Sequence, residues 1–234
     1  ARRCFLGAAG LGGLAWAGGG GFWFLLWPAA ALLIVAAGYG FAGPGVFQKN
    51  REGKLSPAAW SLLLPYRWGA WLSRWWHCRR LPPVSWLTSR LALGCYPNRK
   101  ELTAAGFPPE GIVLDLTAEF PRAQLPEETA YAALPLLDLL PLDAEEIQEA
   151  VALLRRLTRI HPARPVFLHC ALGLSRSAVV ATAWLLATRQ AASVPEALAQ
   201  LRTARPAVIL RTEHAVALQK WWAAAEEIYP PARR

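Results

Sequence analysis

Acidic residues are almost missing from the first third of the chain. Residues 1–88 contain nine Lys or Arg but a single acidic residue, Glu52, whereas residues 89–234 contain 16 basic and 15 acidic residues. The formal charge of +9 therefore comes almost entirely from the N-terminal third, which also holds nine of the 12 tryptophans. Basic residues that flank apolar sequence are typical of membrane proteins rather than of nucleic-acid-binding proteins. We therefore expect no nucleic-acid partner.

Charged residues of either sign are absent from the 45 positions between Cys4 and Gln48. A helix needs about 20 residues to cross the hydrocarbon core, so two crossings fit. We place them at residues 3–17 and 22–43, with the turn at the four glycines of residues 18–21. The sequence thus predicts a transmembrane hairpin in residues 1–48. A buried hairpin of a soluble protein and a cleaved signal peptide ending near residue 17 are the alternatives.

The basic residues at both ends of this hairpin predict its orientation. Arg2 and Arg3 precede it, and Lys49, Arg51 and Lys54 follow it. Because cytoplasmic flanks carry the excess of Lys and Arg, both ends are expected in the cytoplasm. The predicted location is the cytoplasmic (inner) membrane, multi-pass, with the remainder of the chain facing the cytoplasm.

Residues 49–83 mix aromatic and basic side chains. Four tryptophans recur there at helical spacing with four arginines between them: Trp68, Trp71, Trp75, Trp76 and Arg67, Arg74, Arg79, Arg80. This composition favours a helix over residues 58–80 that lies in the lipid headgroup region. An imperfect third crossing and packing against the following domain are the alternatives. Pro82 and Pro83 would then form a linker.

Cysteines are few and widely spaced. The four of them, Cys4, Cys78, Cys95 and Cys170, form no CxxC pair. This spacing excludes a disulfide framework and a clustered zinc site, and it favours a reducing compartment. We expect neither a metal nor another cofactor.

The pattern changes in residues 84–234, where short apolar runs alternate with amphipathic stretches. Strands are predicted at residues 91–95, 112–116, 132–137 and 166–169, and helices at residues 99–105, 143–160, 175–190, 194–204 and 212–228. Asp143 and Glu146 form a capping pair at the start of the clearest helix. Such alternation predicts an α/β fold with a central mixed sheet of about four to five strands flanked by helices.

One stretch of this region contains a candidate nucleophile and a candidate anion-binding loop. It reads His169-Cys170-Ala171-Leu172-Gly173-Leu174-Ser175-Arg176-Ser177, after an apolar strand and before a long helix. A loop between a strand and a helix N-terminus directs successive backbone N–H groups inward, which makes an anion cradle. The helix N-terminus and Arg176 favour the thiolate form of Cys170, the nucleophilic form of a cysteine. This arrangement suits attack on a phosphate monoester.

Four further side chains of the stretch have predicted roles. Arg176 can bind two phosphate oxygens with its planar fork. Gly173 allows the backbone to curl, and Ser177 can hydrogen-bond the thiolate. His169 is expected to be buried behind the loop and to orient it.

With this motif the sequence resembles the cysteine-dependent phosphatases, specifically their dual-specificity branch. The resemblance covers roughly residues 84–225 and rests on His-Cys-x5-Arg-Ser between a strand and a helix. Further similar segments are Leu91-Ala-Leu-Gly-Cys-Tyr-Pro, Ile112-Val-Leu-Asp-Leu-Thr-Ala-Glu and Arg205-Pro206. It implies that residues 84–234 form a catalytic domain that works through a cysteinyl-phosphate intermediate without metal.

The resemblance also implies an aspartic acid that protonates the leaving oxygen. Asp138 follows a predicted strand and lies 32 residues before Cys170, as the family arrangement requires. Asp143 is the second candidate, although it is better explained as a helix cap, and Asp115 is better explained as a strand residue.

The expected function is that of a membrane-anchored phosphatase. Its substrate would be a phosphotyrosine or phosphoserine/threonine protein, or a singly phosphorylated lipid, because the loop lacks the lysines typical of inositol-lipid phosphatases in this superfamily. A non-catalytic membrane module that binds phosphorylated partners is the alternative from another class. A rhodanese-like sulfurtransferase also uses a loop cysteine but fits Arg176, Ser177 and the upstream aspartate less well.

Overall fold

The computed structural model describes residues 1–225 and residue 229. Helix α1 (Arg2–Ala17) leads through a 3₁₀ turn (Gly19–Leu25) into α2 (Leu26–Ala37). Helix α2 is prolonged by a π turn (Gly38–Ala42) and a second 3₁₀ turn (Gly43–Phe47). The stretch Phe22–Phe47 is helical over 26 residues with a mean hydropathy of 1.9, long and apolar enough to cross a membrane. Only 22% of its apolar window is buried, unlike a core helix. Because a signal sequence shares these properties, this one span indicates membrane association only weakly.

Helix α1 packs along α2 but is shorter than the 26-residue helical stretch that contains α2. A Cβ atom added at Gly7 would lie 3.2 Å from Leu32 Cδ1, so the small residue permits a close approach of the two helices. The 16 residues of α1 span about 24 Å, which is less than the roughly 30 Å of a hydrocarbon core. Among the described residues there is therefore one candidate span, and the second crossing stays a prediction.

Two short helices follow, where the sequence predicted one. Helix α3 (Pro57–Leu62) begins at Ser56, whose hydroxyl accepts the Ala59 N–H at 3.1 Å, and α4 covers Leu64–Cys78. Pro65 lies in the first turn of α4, where no intrahelical N–H is needed, and its nitrogen has no hydrogen with which to continue the hydrogen bonds of α3. The single helix predicted over residues 58–80 was wrong in this respect.

Five strands form one mixed sheet in the order β1-β2-β5-β3-β4. They are β1 (Val84–Thr88), β2 (Leu91–Gly94), β3 (Ile112–Thr117), β4 (Ala130–Leu136) and β5 (Val166–His169). Strand β1 is antiparallel to β2, and the other neighbours are parallel. The α/β fold and four strands are confirmed, whereas β1 was not predicted.

Helices cover both faces of the sheet. Helix α5 (Arg99–Ala104) lies on one face; α6 (Ala144–Ile160), α7 (Arg176–Ala187), α8 (Val194–Ala204) and α9 (Thr212–Ala225) lie on the other. The predicted capping box of α6 is present: Asp143 accepts the Glu146 N–H at 2.8 Å, and Glu146 accepts the Asp143 N–H at 3.0 Å. The predicted end of α9 at residues 226–228 lies outside the described residues.

Candidate active site

Strand β5 carries Cys170 to the carboxyl edge of the sheet. All four of its residues are buried, and its last residue, His169, lies opposite Asp115 of β3 and Gly94 of β2. Parallel strands present their carboxyl ends at one edge, where α/β proteins place their binding sites. Cys170 follows immediately, at the start of the loop that leads to α7.

The loop curls around the Cys170 thiol. The Gly173 N–H points at Cys170 Sγ from 3.3 Å, and Ser177 Oγ lies 3.5 Å from the same sulfur. Gly173 has a positive φ of 67°, and a Cβ atom there would lie 2.4 Å from the carbonyl of Gly94. Glycine therefore suits this position on grounds of both conformation and space. Ala171, Leu172, Leu174 and Ser175 complete the loop.

Arg176 is buried at the first turn of α7 and faces a carboxylate. Its Nη1 and Nη2 atoms donate to the two oxygens of Glu119 at 3.0 and 2.7 Å. Nη1 also donates to the carbonyls of Leu116 at 3.3 Å and Leu136 at 2.8 Å, while Nε has no partner among the described residues. Burial alone would lower the pKa of Arg176, but Glu119 and Asp138 outweigh burial and raise it well above its ordinary value. The guanidinium is thus a fixed positive charge with one donor left open.

The three candidate aspartates lie in different surroundings. Asp138 follows β4, its side chain is one-third exposed, and its Oδ1 lies 3.4 Å from Arg176 Nη2. Asp143 caps α6, and Asp115 is completely buried within β3. Of the three, the structure brings Asp138 closest to a predicted site residue at the mouth of the loop.

A buried ion pair lies behind the loop and involves a residue from outside the phosphatase-like region. Lys49 Nζ lies 2.7 Å from Asp115 Oδ2, and neither side chain is exposed. Lys49 also donates to the Thr117 carbonyl at 2.7 Å, and the Tyr131 hydroxyl donates to Asp115 at 2.6 Å. Burial raises the pKa of Asp115, but the charge of Lys49 and the other polar partners outweigh it and lower this pKa to about 2.

His169 connects this pair to Cys170. Its Nε2 atom lies 3.9 Å from Asp115 Oδ1, and its Nδ1 atom lies 3.4 Å from the Cys170 carbonyl. Burial, opposed by the charge of Asp115, lowers the pKa of His169 to about 4, so the ring is neutral at pH 7 and forms no ion pair. The predicted burial of His169 is confirmed.

Arg205 supports the loop from the other side. It is fully buried, and it donates to the carbonyls of Gly173 at 2.8 Å and Leu172 at 3.1 Å. A third donor reaches the Pro82 carbonyl at 2.7 Å. One guanidinium thus ties the loop to the segment that enters β1.

Helix α4 packs directly against the mouth of the site. The Trp71 ring contacts Tyr96 and Phe120 with centroid distances of 5.3 and 5.1 Å. Arg74 donates to the Tyr96 carbonyl, and the Tyr96 N–H donates to the Ala171 carbonyl at 3.1 Å. One face of this aromatic helix therefore forms a wall of the loop.

The opposite face of α4 is exposed and apolar. Trp68 is 72% exposed, and Leu72, Trp75 and Trp76 are each more than half exposed. The Arg79 guanidinium lies over the rings of Trp75 and Trp76, 4.5 and 4.6 Å from their centroids. We call Trp68, Leu72, Trp75 and Trp76 the tryptophan face. It presents apolar area and cationic charge on the outer side of the helix whose other face contacts the residues next to the loop.

No group of three or more His, Cys, Asp or Glu side chains that could hold a metal occurs in the part of the chain that the structure describes. The donors around Cys170 are amides, a hydroxyl and a guanidinium, which suit an oxyanion rather than a cation.

Comparison with known proteins indicates which class of protein this chain resembles. Residues 111–223 match the model of the dual specificity phosphatase catalytic domain. This match and the shared α/β fold support assignment to the cysteine phosphatase superfamily, and they support a cysteine-based phosphatase.

Solved structures share the fold. A mutant form of Tk-PTP is 25% identical with a TM-score of 0.52, covering 62% of this chain and 98% of its own. A variant of human DUSP28 is 24% identical with a TM-score of 0.53, covering 63% and 99%. PTPMT1 in complex with PI(5)P is 15% identical with a TM-score of 0.52, covering 63% and 99%. A search of the curated proteins found no significant match.

Sequence reasoning missed three residues that shape the site. Glu119 was noted only as part of a strand-and-turn segment, Lys49 only as a membrane flank, and Arg205 only as part of a family-like dipeptide. The position of Glu119 after a buried strand, at the same sheet edge as Cys170, was a signal that could have identified it. Nothing local marks Lys49, whose partner is 66 residues away.

Proposed function

We propose that this chain is a membrane-anchored phosphatase that hydrolyses phosphate monoesters through a cysteinyl-phosphate intermediate. The observation that carries the proposal is the buried Cys170 sulfur within reach of the Gly173 amide and the Ser177 hydroxyl, on the same loop as Arg176, whose Nε donor has no partner among the described residues. These groups offer a nucleophile and anion-binding donors at one point, as transfer of a phosphoryl group requires.

Each step of the proposed reaction uses a residue of this constellation. Cys170 attacks phosphorus while the bond to the leaving oxygen breaks, and Asp138 gives that oxygen its proton. Arg176 and the loop amides hold the equatorial phosphate oxygens. Water then attacks the cysteinyl-phosphate, Asp138 takes the proton of that water, and the Cys170 thiolate leaves with help from Ser177.

Replacement of the nucleophile tests the proposal. In the full chain in detergent, Cys170→Ser should abolish phosphate release from an aryl phosphate yet keep binding of tungstate, because the amides and Arg176 remain. Cys4→Ser, a thiol far from the loop in sequence, is the matched control and should retain wild-type turnover. Tungstate binding without turnover by the wild type would instead indicate a phosphate-binding module, and substantial activity of Cys170→Ser would refute the nucleophile.

The general acid is tested by leaving-group dependence. Asp138→Asn should lower kcat by about 10²–10⁴-fold for an alkyl phosphate, whose basic alkoxide needs a proton, and much less for an electron-poor aryl phosphate. Asp143→Asn is the matched control, because asparagine also caps a helix and should leave kcat nearly unchanged. If the two variants exchange these behaviours, Asp143 is the acid.

For the substrate we propose a singly phosphorylated lipid, with phosphoproteins as the alternative. Two features support a lipid: the apolar stretch Phe22–Phe47 and the exposed tryptophan face of the helix that contacts the loop. The absence of lysine from the loop argues only against a polyphosphorylated headgroup. PTPMT1, which shares the fold, has been crystallised with the lipid PI(5)P. A lipid phosphate in the same bilayer would meet the loop without leaving the membrane surface.

A substrate panel in mixed micelles distinguishes the two classes. Phosphatidic acid should be hydrolysed with a higher kcat/KM than phosphotyrosine, phosphoserine and phosphothreonine peptides. Trp75→Ala should lower kcat/KM for the micellar lipid but not for a soluble aryl phosphate. A preference for the peptides would exclude the lipid assignment while leaving the phosphatase mechanism intact.

For topology we propose that α1 and the stretch Phe22–Phe47 form a hairpin with both ends in the cytoplasm. Arg2 and Arg3 on one side and Arg51 and Lys54 on the other support this orientation. Reporter fusions at residue 20 and after Lys54 test it, and a fusion after Lys54 found outside the cytoplasm would contradict it.

A further inference from the structure

Two thiols outside the proposed catalytic constellation lie together against the back of the loop. Cys78 is the last residue of α4, and Cys95 directly follows β2. Cys78 Sγ lies 3.8 Å from the Ala171 carbonyl, and Cys95 Sγ lies 3.3 Å from the Leu172 carbonyl. The two thiols are also close enough for each to influence the pKa of the other. Residues from two different elements thus form a neighbouring pair behind consecutive loop residues.

The surroundings of the pair favour one negative charge. The effect of the neighbouring Cys78 thiol, helped by the charges of Arg205 and Arg74, outweighs burial and lowers the pKa of Cys95. The neighbouring Cys95 and burial raise the pKa of Cys78. Arg205 Nη2 lies 3.6 Å from Cys95 Sγ. One sulfur can therefore carry charge while the other keeps its proton, and thiolate is the reactive form of cysteine.

The pair is also reachable from solvent on one side. Both cysteines are free, Cys95 is buried, and Cys78 is partly exposed. A small oxidant can therefore approach along Cys78. Cys4 is far from this pair in the sequence and lies with the N-terminal helices, so it offers a comparison within the same chain.

We propose that Cys78 and Cys95 are a redox-active dithiol that a peroxide converts to a disulfide. The charged sulfur attacks one peroxide oxygen; the S–O bond forms, the O–O bond breaks, and hydroxide leaves. The sulfur is oxidised to a sulfenic acid, and the peroxide is reduced. The second sulfur then attacks the first; the S–S bond forms, the S–O bond breaks, and the departing hydroxide takes the remaining thiol proton and leaves as water.

The disulfide would fasten α4 to the end of β2. After oxidation no thiol hydrogen is left to bind a loop carbonyl, yet each carbonyl keeps another donor. The Tyr96 N–H binds Ala171 at 3.1 Å, and Arg205 binds Leu172 at 3.1 Å. The loop carbonyls therefore keep hydrogen-bond donors, and the main expected effect of oxidation is a covalent link between α4 and the sheet.

Mass-spectrometric mapping of the full chain in detergent tests the proposal. After treatment with hydrogen peroxide and alkylation of free thiols, we expect a cross-linked peptide pair containing residues 78 and 95, which dithiothreitol separates. The same pair should form in Cys170→Ser and in Cys4→Ser, and it should be missing in Cys78→Ser. Oxidised wild type should melt roughly 5 °C or more above the reduced protein, a shift that Cys78→Ser lacks.

Two results would overturn the proposal. One is a disulfide that joins Cys95 to Cys170 in place of Cys78. The other is that Cys78 and Cys95 stay free at peroxide concentrations that oxidise Cys170. Neither readout needs turnover, so loss of the proposed phosphatase function in assays of the reduced protein is a separate outcome.

Discussion

Replacing Lys49 by methionine should destabilise the protein although Lys49 lies outside the phosphatase-like region. The change removes an ammonium that pairs with Asp115 at 2.7 Å and donates to Thr117, while both charged side chains are fully buried. Removing one partner of a buried ion pair costs about 3–5 kcal/mol, because the other charge is left without compensation. Asp115 keeps hydrogen bonds from Tyr131 and Thr117, so the lower end of that range applies.

Thermal unfolding in detergent measures this effect. A loss of about 3 kcal/mol in a chain of this size corresponds to a fall in Tm of roughly 6–12 °C. Lys54→Met is the matched control. Within the described part of the chain the ion pair of Lys54 is with Glu52, and both side chains are at least 70% exposed. Its removal should therefore cost less than about 1 kcal/mol. Lys49→Met combined with Asp115→Asn should be milder than Lys49→Met alone, because the uncompensated charge is gone.

A Tm of Lys49→Met equal to that of Lys54→Met would refute this reasoning. It would mean that Asp115 takes up a proton at little cost once the ammonium is removed, and that the segment after the apolar helix is not held by this pair. A double variant that is less stable than Lys49→Met alone would contradict the assumed charge compensation.

The remaining predictions concern the loop. Glu119→Gln should lower kcat/KM by about tenfold to a hundredfold, because Glu119 positions the Arg176 guanidinium and hydrogen bonds to charged groups contribute about 1.5–3 kcal/mol. Wild-type kinetics of this variant would contradict the prediction. Arg176→Lys should approach Cys170→Ser in severity, because an ammonium cannot reproduce the planar fork, and a loss of only a few-fold would count against that role. The free energy of unfolding should fall as the pH drops from about 6.5 to 4. His169 has a pKa of about 4 in the folded protein, which is below its value in the unfolded chain, so the unfolded chain binds the proton first. His169→Gln should remove this part of the pH dependence of Tm.

Local patterns predicted the parts of the fold that local interactions determine. The capping box at Asp143 and the buried strand before Cys170 depend on residues within a few positions, and both were found where expected. Strand β1 was not predicted because it follows two prolines and has only one buried residue, so its apolar pattern is weak. It forms because its backbone pairs with β2 and because the Pro82 carbonyl is held by Arg205.

The aromatic helix shows why the charge pattern in the sequence could not predict which of its side chains are buried. The four arginines in and just after this helix supported a prediction that it lies in the lipid headgroup region, yet they divide into two kinds. Arg67 is 4% exposed and donates to the Trp60 carbonyl of α3, whereas Arg74 donates to the Tyr96 carbonyl of the α/β domain. Both guanidinium groups are therefore held by protein carbonyls. Arg79 and Arg80 instead lie over the exposed tryptophan rings. A sequence reports where such charges occur along a helix, but the partner surface decides which of them face inward.

Arg176 and Lys49 share a physical reason for their unexpected partners. A buried cation must have anionic or carbonyl oxygens around it, since an unpaired charge in the interior is very costly. Glu119, Leu116 and Leu136 meet this need for Arg176, and Asp115 and Thr117 meet it for Lys49. Both sets are drawn from β3 and β4 and from the turn that follows β3, so a single sheet edge supplies the oxygens for both. The segment after the apolar helix and the loop around Cys170 are therefore anchored to the same strands. A displacement of one should shift the other, because Asp115 and His169 connect them.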